Sequence, residues 1–493
     1  MQNPKNVIVI GAGFAGMAAA TSLAQQGFRV QVLEKHDQPG GRARAFSAQG
    51  FTFDMGPSWY WMPDVFEKYF QKFGKTTADY YELQRLDPSY TVIFGENDYM
   101  PVPAKMPALH ALFESLEPGS SQKLDAFLKQ AAYKYEVGIN QLVYKPGRSF
   151  TEFLDWRLLV DVFRMDVFQS MHQHVRKFFQ NERIIKLMEF PVLFLGALPQ
   201  NTPALYSLMN YADISLGTWY PRGGMYKIVE GMAALAESVG VEFLYNQEVN
   251  WLETEGTSIK RVHTTEKIFT ADVVVAGSDY HHVENQLLPP AQRSYSDSYW
   301  SKRVMAPSSL IFYLGINKKL ENLQHHNLFF DEDFEPHARE IYETPRWPTN
   351  PLFYVSAPSK TDAGVAPEGC ENLFILIPVA PDLQDDEATR EKYYDLVLNR
   401  LEKLTRQKIR EHVIFKRSYA HRDFISDYHA FKGNAYGLAN TLMQTAILKP
   451  GLKSKKLKNL YFTGQLTVPG PGVPPSLISG QVVAQEVTRE FAG

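Results

Sequence analysis

What most constrains this chain is its opening stretch. An apolar run, Val7-Ile-Val-Ile10, leads into Gly11-Ala-Gly13-Phe-Ala-Gly16, and an alanine-rich, proline-free segment from Met17 to Gln26 follows. That is strand, tight turn and helix. A second strand, Arg29-Val-Gln-Val-Leu33, ends in Glu34. In such an arrangement the first glycine tightens the turn and the second lets the backbone approach a pyrophosphate. The third lets helix and strand pack closely, with the helix N-terminus facing the phosphates. An acid at position 34 accepts hydrogen bonds from ribose hydroxyls and repels a 2′-phosphate, which disfavours NADP. The pattern predicts an α/β, Rossmann-like dinucleotide-binding fold.

Two further segments refine the ligand. Gly40-Gly41-Arg42-Ala-Arg44 and Phe53-Asp54-Met-Gly56-Pro57-Ser58 follow the fingerprint. Paired glycines expose backbone N–H groups to an anion, and an adjacent arginine adds fixed positive charge. Near the C-terminus, Lys458-Asn-Leu-Tyr-Phe-Thr463 reads as a strand ending at Gly464-Gln465, at the carboxyl edge of a parallel sheet. Beyond it, Gly470-Pro-Gly472-Val-Pro474-Pro475 opens a helix that runs to Phe491. Proline suits the first helical positions, and the helix N-terminus presents partial positive charge to the crevice. The two ends of the chain together point to a tightly held flavin, whose N1 and C2 carbonyl end becomes negative on reduction.

The run from Gly11 to Arg44, the Phe53 to Ser58 segment, Tyr220-Pro-Arg-Gly-Gly-Met225 and the Pro-Gly-Pro-Gly-Val-Pro helix start resemble, in order and over nearly the whole chain, the bacterial-type FAD-dependent carotenoid desaturases. Phytoene desaturases and the hydroxycarotenoid 3,4-desaturases belong to this family. The resemblance implies a flavin amine oxidase-like FAD-binding domain with an inserted α+β substrate domain. It places the cofactor against Gly11, Gly13, Phe14, Ala15, Gly16, Glu34, Lys35, Gly41, Arg42, Gly56, Pro57, Ser58, Gly464, Gln465, Gly472, Val473 and Pro474. Val249 matches the position whose backbone contacts adenine, or is a buried edge-strand valine. Asp155 and Arg157 lie approximately where relatives carry an Asp and an Arg near the flavin. Two departures stand out: Gln465 replaces an acid common in related flavoenzymes, and Leu466-Thr467-Val468 replaces a Thr-His pair.

The expected organisation is discontinuous: residues 1–75, 220–285 and 440–493 form the FAD domain, and 76–219 and 286–439 form the substrate domain. At 493 residues the chain is long for one core. A hydrophobic content of 44% supplies both a core and an apolar cavity, and a net charge of −3 gives no reason to expect nucleic acid. One cysteine, Cys370, excludes an internal disulfide framework and fits a reducing cytoplasm. There is no leader-like N-terminus and no apolar run of about 18 residues. A carotenoid resides in the bilayer, so peripheral membrane contact is expected. Arg157, Arg164, Arg176 and Lys177 are the residues to reach lipid headgroups, although an amphipathic helix packed on the core is the preferred reading of that stretch.

The basic cluster Lys449, Lys453, Lys455, Lys456 and Lys458 reads as a solvated loop, and so do the adjacent His281 and His282. No metal-ligand cluster or Ser-His-Asp spacing stands out. The expected reaction is desaturation beside a polyene, with oxygen or a quinone as electron acceptor, leaning to 3,4-desaturation of a 1-hydroxylated γ-carotenoid. The alternative is a phytoene desaturase making neurosporene or lycopene. A flavin amine oxidase, a carotenoid isomerase or a non-enzymatic prenyl-binding escort protein are more remote. A hydroxylated end group calls for a polar partner at the blind end of the tunnel, whereas phytoene calls for none.

Overall fold

The computed structural model describes residues 4–149, 152, 166–167, 169–195, 198–441 and 444–492. β1 (Asn6–Ile10), α1 (Phe14–Gln25) and β2 (Arg29–Leu33) form the expected strand–turn–helix–strand unit. Far along the chain come α2 (Tyr226–Ser238), β3 (Glu242–Leu244), β4 (Val273–Ala276), β5 (Leu460–Phe462) and α3 (Val473–Phe491). The five strands make one parallel sheet in the order β5-β4-β1-β2-β3, with Val7 opposite both Val30 and Val273. All four β4 residues and four of the five β1 residues are buried, so these strands read as unbroken apolar runs, as sheets covered on both faces do.

Glycines decide how closely the helices approach. A side chain at Gly16 would start 2.0 Å from the Gly11 carbonyl oxygen, and one at Gly480 in α3 would start 2.2 Å from the Ala15 carbonyl oxygen. Real atoms cannot sit there, so α1 presses backbone-to-backbone on both the turn before it and the C-terminal helix. This contact brings the N-termini of α1 and α3 to the same edge of the sheet.

A second, seven-stranded sheet runs in the order Val413–Tyr419, Ser308–Ile316, Glu371–Val379, Phe353–Ser356, His326–Phe329, Tyr90–Gly95, Asp98–Val102. Its strands come from both stretches assigned above to the substrate domain. Neighbours are antiparallel except His326–Phe329 and Tyr90–Gly95. The nine residues of Ser308–Ile316 are all buried and alternate between two cores. Ile311 and Tyr313 face the large core shared with the parallel sheet, and Leu310, Phe312 and Leu314 face a core covered by the helix Glu387–Thr405. The hairpin Ala45–Ala48/Phe51–Asp54 couples the two sheets. Phe46 and Phe53 pack on the Tyr313 ring, and the Tyr313 hydroxyl donates to the Met55 carbonyl at 2.7 Å. Among the described residues, no helix is long and apolar enough to cross a membrane.

Candidate functional site

At the carboxyl edge of the parallel sheet the backbone is arranged to receive something anionic. Gly11 sits at φ +93° and turns the chain out of β1, and Gly13 is the N-cap of α1 with no side chain capping the helix. A side chain built on Gly13 would meet nothing within 4 Å. The first turn of α1, with Phe14, Ala15 and Gly16 buried, therefore ends in free N–H groups facing open space. α3 repeats the device: Gly472 at φ +110° is an N-cap without a side-chain cap, and Val473 and Pro474 begin the helix. Gly464 lies between the two, its nearest neighbour, the Ala15 methyl, 3.7 Å from where a Cβ would be.

The flanking loops are locked to this edge. Gly40 N–H donates to the Ala12 carbonyl at 2.8 Å, and a Cβ on Gly41 would lie 3.3 Å from Gly13 Cα. Gly56 packs on the Arg42 carbonyl oxygen, 2.3 Å from where its Cβ would be. Arg42 and Arg44 do not form a solvated loop. Arg42 Nη1 donates to the Asn434 and Ala435 carbonyls at 2.6 and 2.8 Å, and Arg44 pairs with Asp427 at 2.6 Å. They bind the 427–435 segment over the glycine loop, and Gln465 joins it through Asn434 Oδ1 at 3.3 Å.

Other expected residues have definite partners. The buried Glu34 carboxylate accepts from the Ala12 N–H at 2.7 Å and the His36 N–H at 2.9 Å, so it first braces the glycine turn. Each oxygen retains a lone-pair direction for a hydroxyl. Lys35 reaches the Ser426 carbonyl and Glu248 and turns towards that contact. Val249 is a buried residue of an edge strand, in a core with Ile10 and Leu33. Asp155 and Arg157 lie outside the described residues.

The expectation of solvated loops fails at His281 and His282 and again at Lys449. His281 and His282 are half-buried and stacked, His282 on His429 at 3.9 Å and His281 on Phe431 at 4.0 Å. Burial pushes the pKa of His282 down to about 3 and that of His281 down to about 4, so both are neutral at pH 7. Lys449 does not belong to a solvated cluster either. It is 5% exposed, its Nζ has no hydrogen-bond partner among the described residues, and burial pushes its ammonium down to about 7. The Tyr220 to Met225 and Phe53 to Ser58 segments, quoted as separate marks, meet. The Asp54 carboxylate accepts from the Met225 and Tyr226 N–H groups at 2.8 and 2.9 Å and so caps α2.

Sequence reasoning missed a buried polar group beside Ser58. Trp59 stacks on His326 at 4.2 Å between ring centres, and His326 Nδ1 lies 2.6 Å from the Tyr354 hydroxyl. His326 Nε2 and Trp59 Nε1 are buried and unpartnered among the described residues. Tyr90 packs on Trp59 and donates to Asp213 at 2.7 Å. Nothing in the spacing of these residues marks them, because they converge from five separate segments. Burial raises Asp213 from 3.8 to about 7. An acid whose pKa is raised on folding penalises the charged state, so stability is gained as pH falls from 7 to 4, where the folded protein takes up the proton first. Relative to Asp213→Asn, the wild type is expected to gain up to about 1.4 kcal/mol per pH unit over that window. Urea unfolding at pH 5 and pH 8 measures this, and parallel curves for the two proteins would contradict it.

The uncapped helix ends, the cleared space at Gly13 and the buried Ser278 hydroxyl beside Gly11, unpartnered among the described residues, fit a dinucleotide with a pyrophosphate at its centre. Comparison with known proteins agrees. The flavin containing amine oxidoreductase family profile matches residues 14–488. A carotenoid 3,4-desaturase of Haloarcula japonica is 39% identical over 99% of both chains. A zeta-carotene-forming phytoene desaturase of Myxococcus xanthus is 33% identical over 98% of this chain and 94% of its own. Among solved structures, an oxidoreductase from Methanosarcina mazei superposes with a TM-score of 0.64 at 17% identity, covering 97% of this chain and 100% of its own. The chain belongs to the flavin containing amine oxidoreductase family, and its cofactor is FAD.

Proposed function

We propose that this protein is a carotenoid desaturase acting at the 3,4 bond of a 1-hydroxylated γ-carotenoid end. The observation that carries the reading is end-to-end similarity to a carotenoid 3,4-desaturase, together with a fold whose sheet edge suits FAD. Bound FAD supplies the two-electron acceptor for a hydride from an allylic C–H bond. Loss of a proton from the neighbouring carbon then completes the new double bond. The chain's part is to hold the substrate carbons in register and keep water out. Residues 1–75, 220–285 and 440–493 would hold the cofactor and the remainder the substrate, with Glu34 and Val249 at the adenosine end and Gly464 to Pro474 at the flavin end. Asp155 and Arg157 are proposed near the reacting carbons. Because the substrate dissolves in lipid, peripheral membrane contact and reoxidation by a membrane quinone or oxygen belong to the same proposal.

Substrate chemistry also says where a hydroxyl partner must be. C1 is two bonds from C3, so with the 3,4 bond at the redox centre the hydroxyl lies close to that centre, not at a remote tunnel end. The Trp59, His326 and Tyr354 group, next to Ser58, is of the right kind: an N–H donor beside an imidazole nitrogen, both unpaired among the described residues, matched by a hydroxyl that donates and accepts. The test is FAD-loaded protein in liposomes with either phytoene or a 1-hydroxylated γ-carotenoid, read by absorption and product mass. Loss of two hydrogens and a red shift from the hydroxylated substrate alone is expected. Conversion of phytoene would replace this reading with phytoene desaturation, and no conversion of either would remove the desaturase reading.

A further inference from the structure

The loop that precedes α3 packs, at Gly470, against a pair of buried polar atoms from the 440–449 segment that are left without partners among the described residues. Lys449 Nζ and Asn440 Oδ1 are both unpartnered among the described residues, in side chains 5% and 6% exposed. Both crowd one face of Gly470, where a Cβ would lie 3.0 Å from Asn440 Oδ1 and 3.3 Å from Lys449 Nζ. Gly470 adopts φ +142° and stands two residues before the uncapped start of α3. An unpaired donor and an unpaired acceptor thus sit side by side at the point where a helix N-terminus already favours negative charge. Leaving a buried ammonium and a buried amide oxygen unpaired costs free energy that a ligand would recover.

We propose that Lys449 and Asn440 receive the pyrimidine edge of the flavin, Lys449 donating to its C2 carbonyl and Asn440 accepting from N3–H, and that Lys449 thereby sets the flavin's reduction potential. The alternation of carbonyl acceptor and N–H donor along that edge is the complement of the side-chain pair. Two-electron reduction places negative charge at the N1 and C2 end, so an ammonium there favours the reduced state and makes the flavin a stronger acceptor of hydride. The polyene chain has no group that would pair with either residue, and the single hydroxyl proposed for the substrate cannot satisfy a donor and an acceptor in the carbonyl and N–H alternation of the flavin edge. The inference rests on FAD occupying the sheet edge between the α1 and α3 N-termini. Yellow protein with stoichiometric FAD after gel filtration tests that part separately.

The experiment compares wild-type holoenzyme with Lys449→Met and Lys449→Arg, measuring sulfite affinity by flavin bleaching and reduction potential by dye equilibration. Sulfite addition, like reduction, drives negative charge to the N1 and C2 end. Lys449→Met is expected to bind sulfite about tenfold more weakly, the scale of one charge-assisted hydrogen bond. Its potential should be more negative by about 30 mV, the two-electron equivalent of that factor. Lys449→Arg should stay within about twofold of wild type, since it keeps the charge. Lys449→Met holding FAD with unchanged sulfite affinity and potential would overturn the proposal. If that variant fails to fold or to hold FAD, wild-type protein loaded with FAD carrying 13C at C2 decides. A C2 resonance downfield of free FAD supports the assignment, and one at or upfield of it refutes it. Wild-type protein that retains no FAD would instead refute the cofactor placement on which the assignment depends.

Discussion

Gly13→Val is expected to yield a folded, colourless protein. The basis is the empty space beside Gly13: a Cβ there would meet nothing of the protein within 4 Å, so a branched side chain has room to start without displacing native packing. Its φ of −77° suits any residue, and the stability change should stay within about 0.5 kcal/mol. That same space is where a pyrophosphate would approach the first turn of α1, and branched carbons in it would keep the phosphates away from the N–H groups. FAD affinity should fall by about a hundredfold, a steric penalty at the upper end of those found for overfilled sites. Gly16→Val is the informative contrast. Its Cβ would lie 2.0 Å from the Gly11 carbonyl oxygen, so the turn itself must open, and loss of flavin should come with loss of the folded state. Circular dichroism and flavin absorbance on the two variants separate the roles. A yellow Gly13→Val protein would mean that the phosphates do not use this helix end.

This contrast also marks how far the sequence could be read. The glycines of the first turn, the acid at 34 and the C-terminal Pro-Gly run were legible because each answers to a local requirement: a positive φ, a close approach, a helix start. The parallel sheet followed from them, since β1 and β4 are apolar runs fit for burial on both faces and β2 buries Val30, Val32 and Leu33 beside them. What stayed hidden depends on contacts between distant segments. Lys449 looked like one of five basic residues in a loop, and its burial follows from the packing of 440–449 against Gly470. Asp54 reads as part of a Phe-Asp-Met-Gly motif, but its job, capping α2 from 171 residues away, is invisible without the fold. Arg42 illustrates the same limit from the other side. Its position suggested an anion ligand, yet its guanidinium holds two backbone carbonyls of the segment that closes over the glycine turn.

His326→Phe is expected to change which substrate is used more than whether the enzyme works. Phenylalanine keeps a flat ring to stack on Trp59 and is larger by one ring atom, but it removes both the nitrogen paired with the Tyr354 hydroxyl and Nε2, unpaired among the described residues. Burial holds the His326 pKa well below its ordinary value, so the loss is of a neutral hydrogen-bonding group and no charge is left unbalanced. If a substrate hydroxyl fills that place, its removal costs kcat/KM on the hydroxylated carotenoid about 10- to 100-fold, the range for a buried hydrogen bond to an uncharged partner plus the unpaired hydroxyl left behind. A substrate without a hydroxyl has nothing to lose there, and its kcat/KM should be unchanged or slightly raised. His326→Gln, which retains a donor and an acceptor, should recover part of the preference. The measurement is a competition assay with the hydroxylated and unhydroxylated carotenoids in one liposome preparation. An equal fall on both substrates would make His326 a packing residue and return the choice between the 3,4-bond and phytoene readings to substrate trials alone. A fall confined to the hydroxylated substrate would tie the end-group preference to a polar contact on the wall beside Ser58, close to the reacting carbons, as the two-bond separation of C1 from C3 requires.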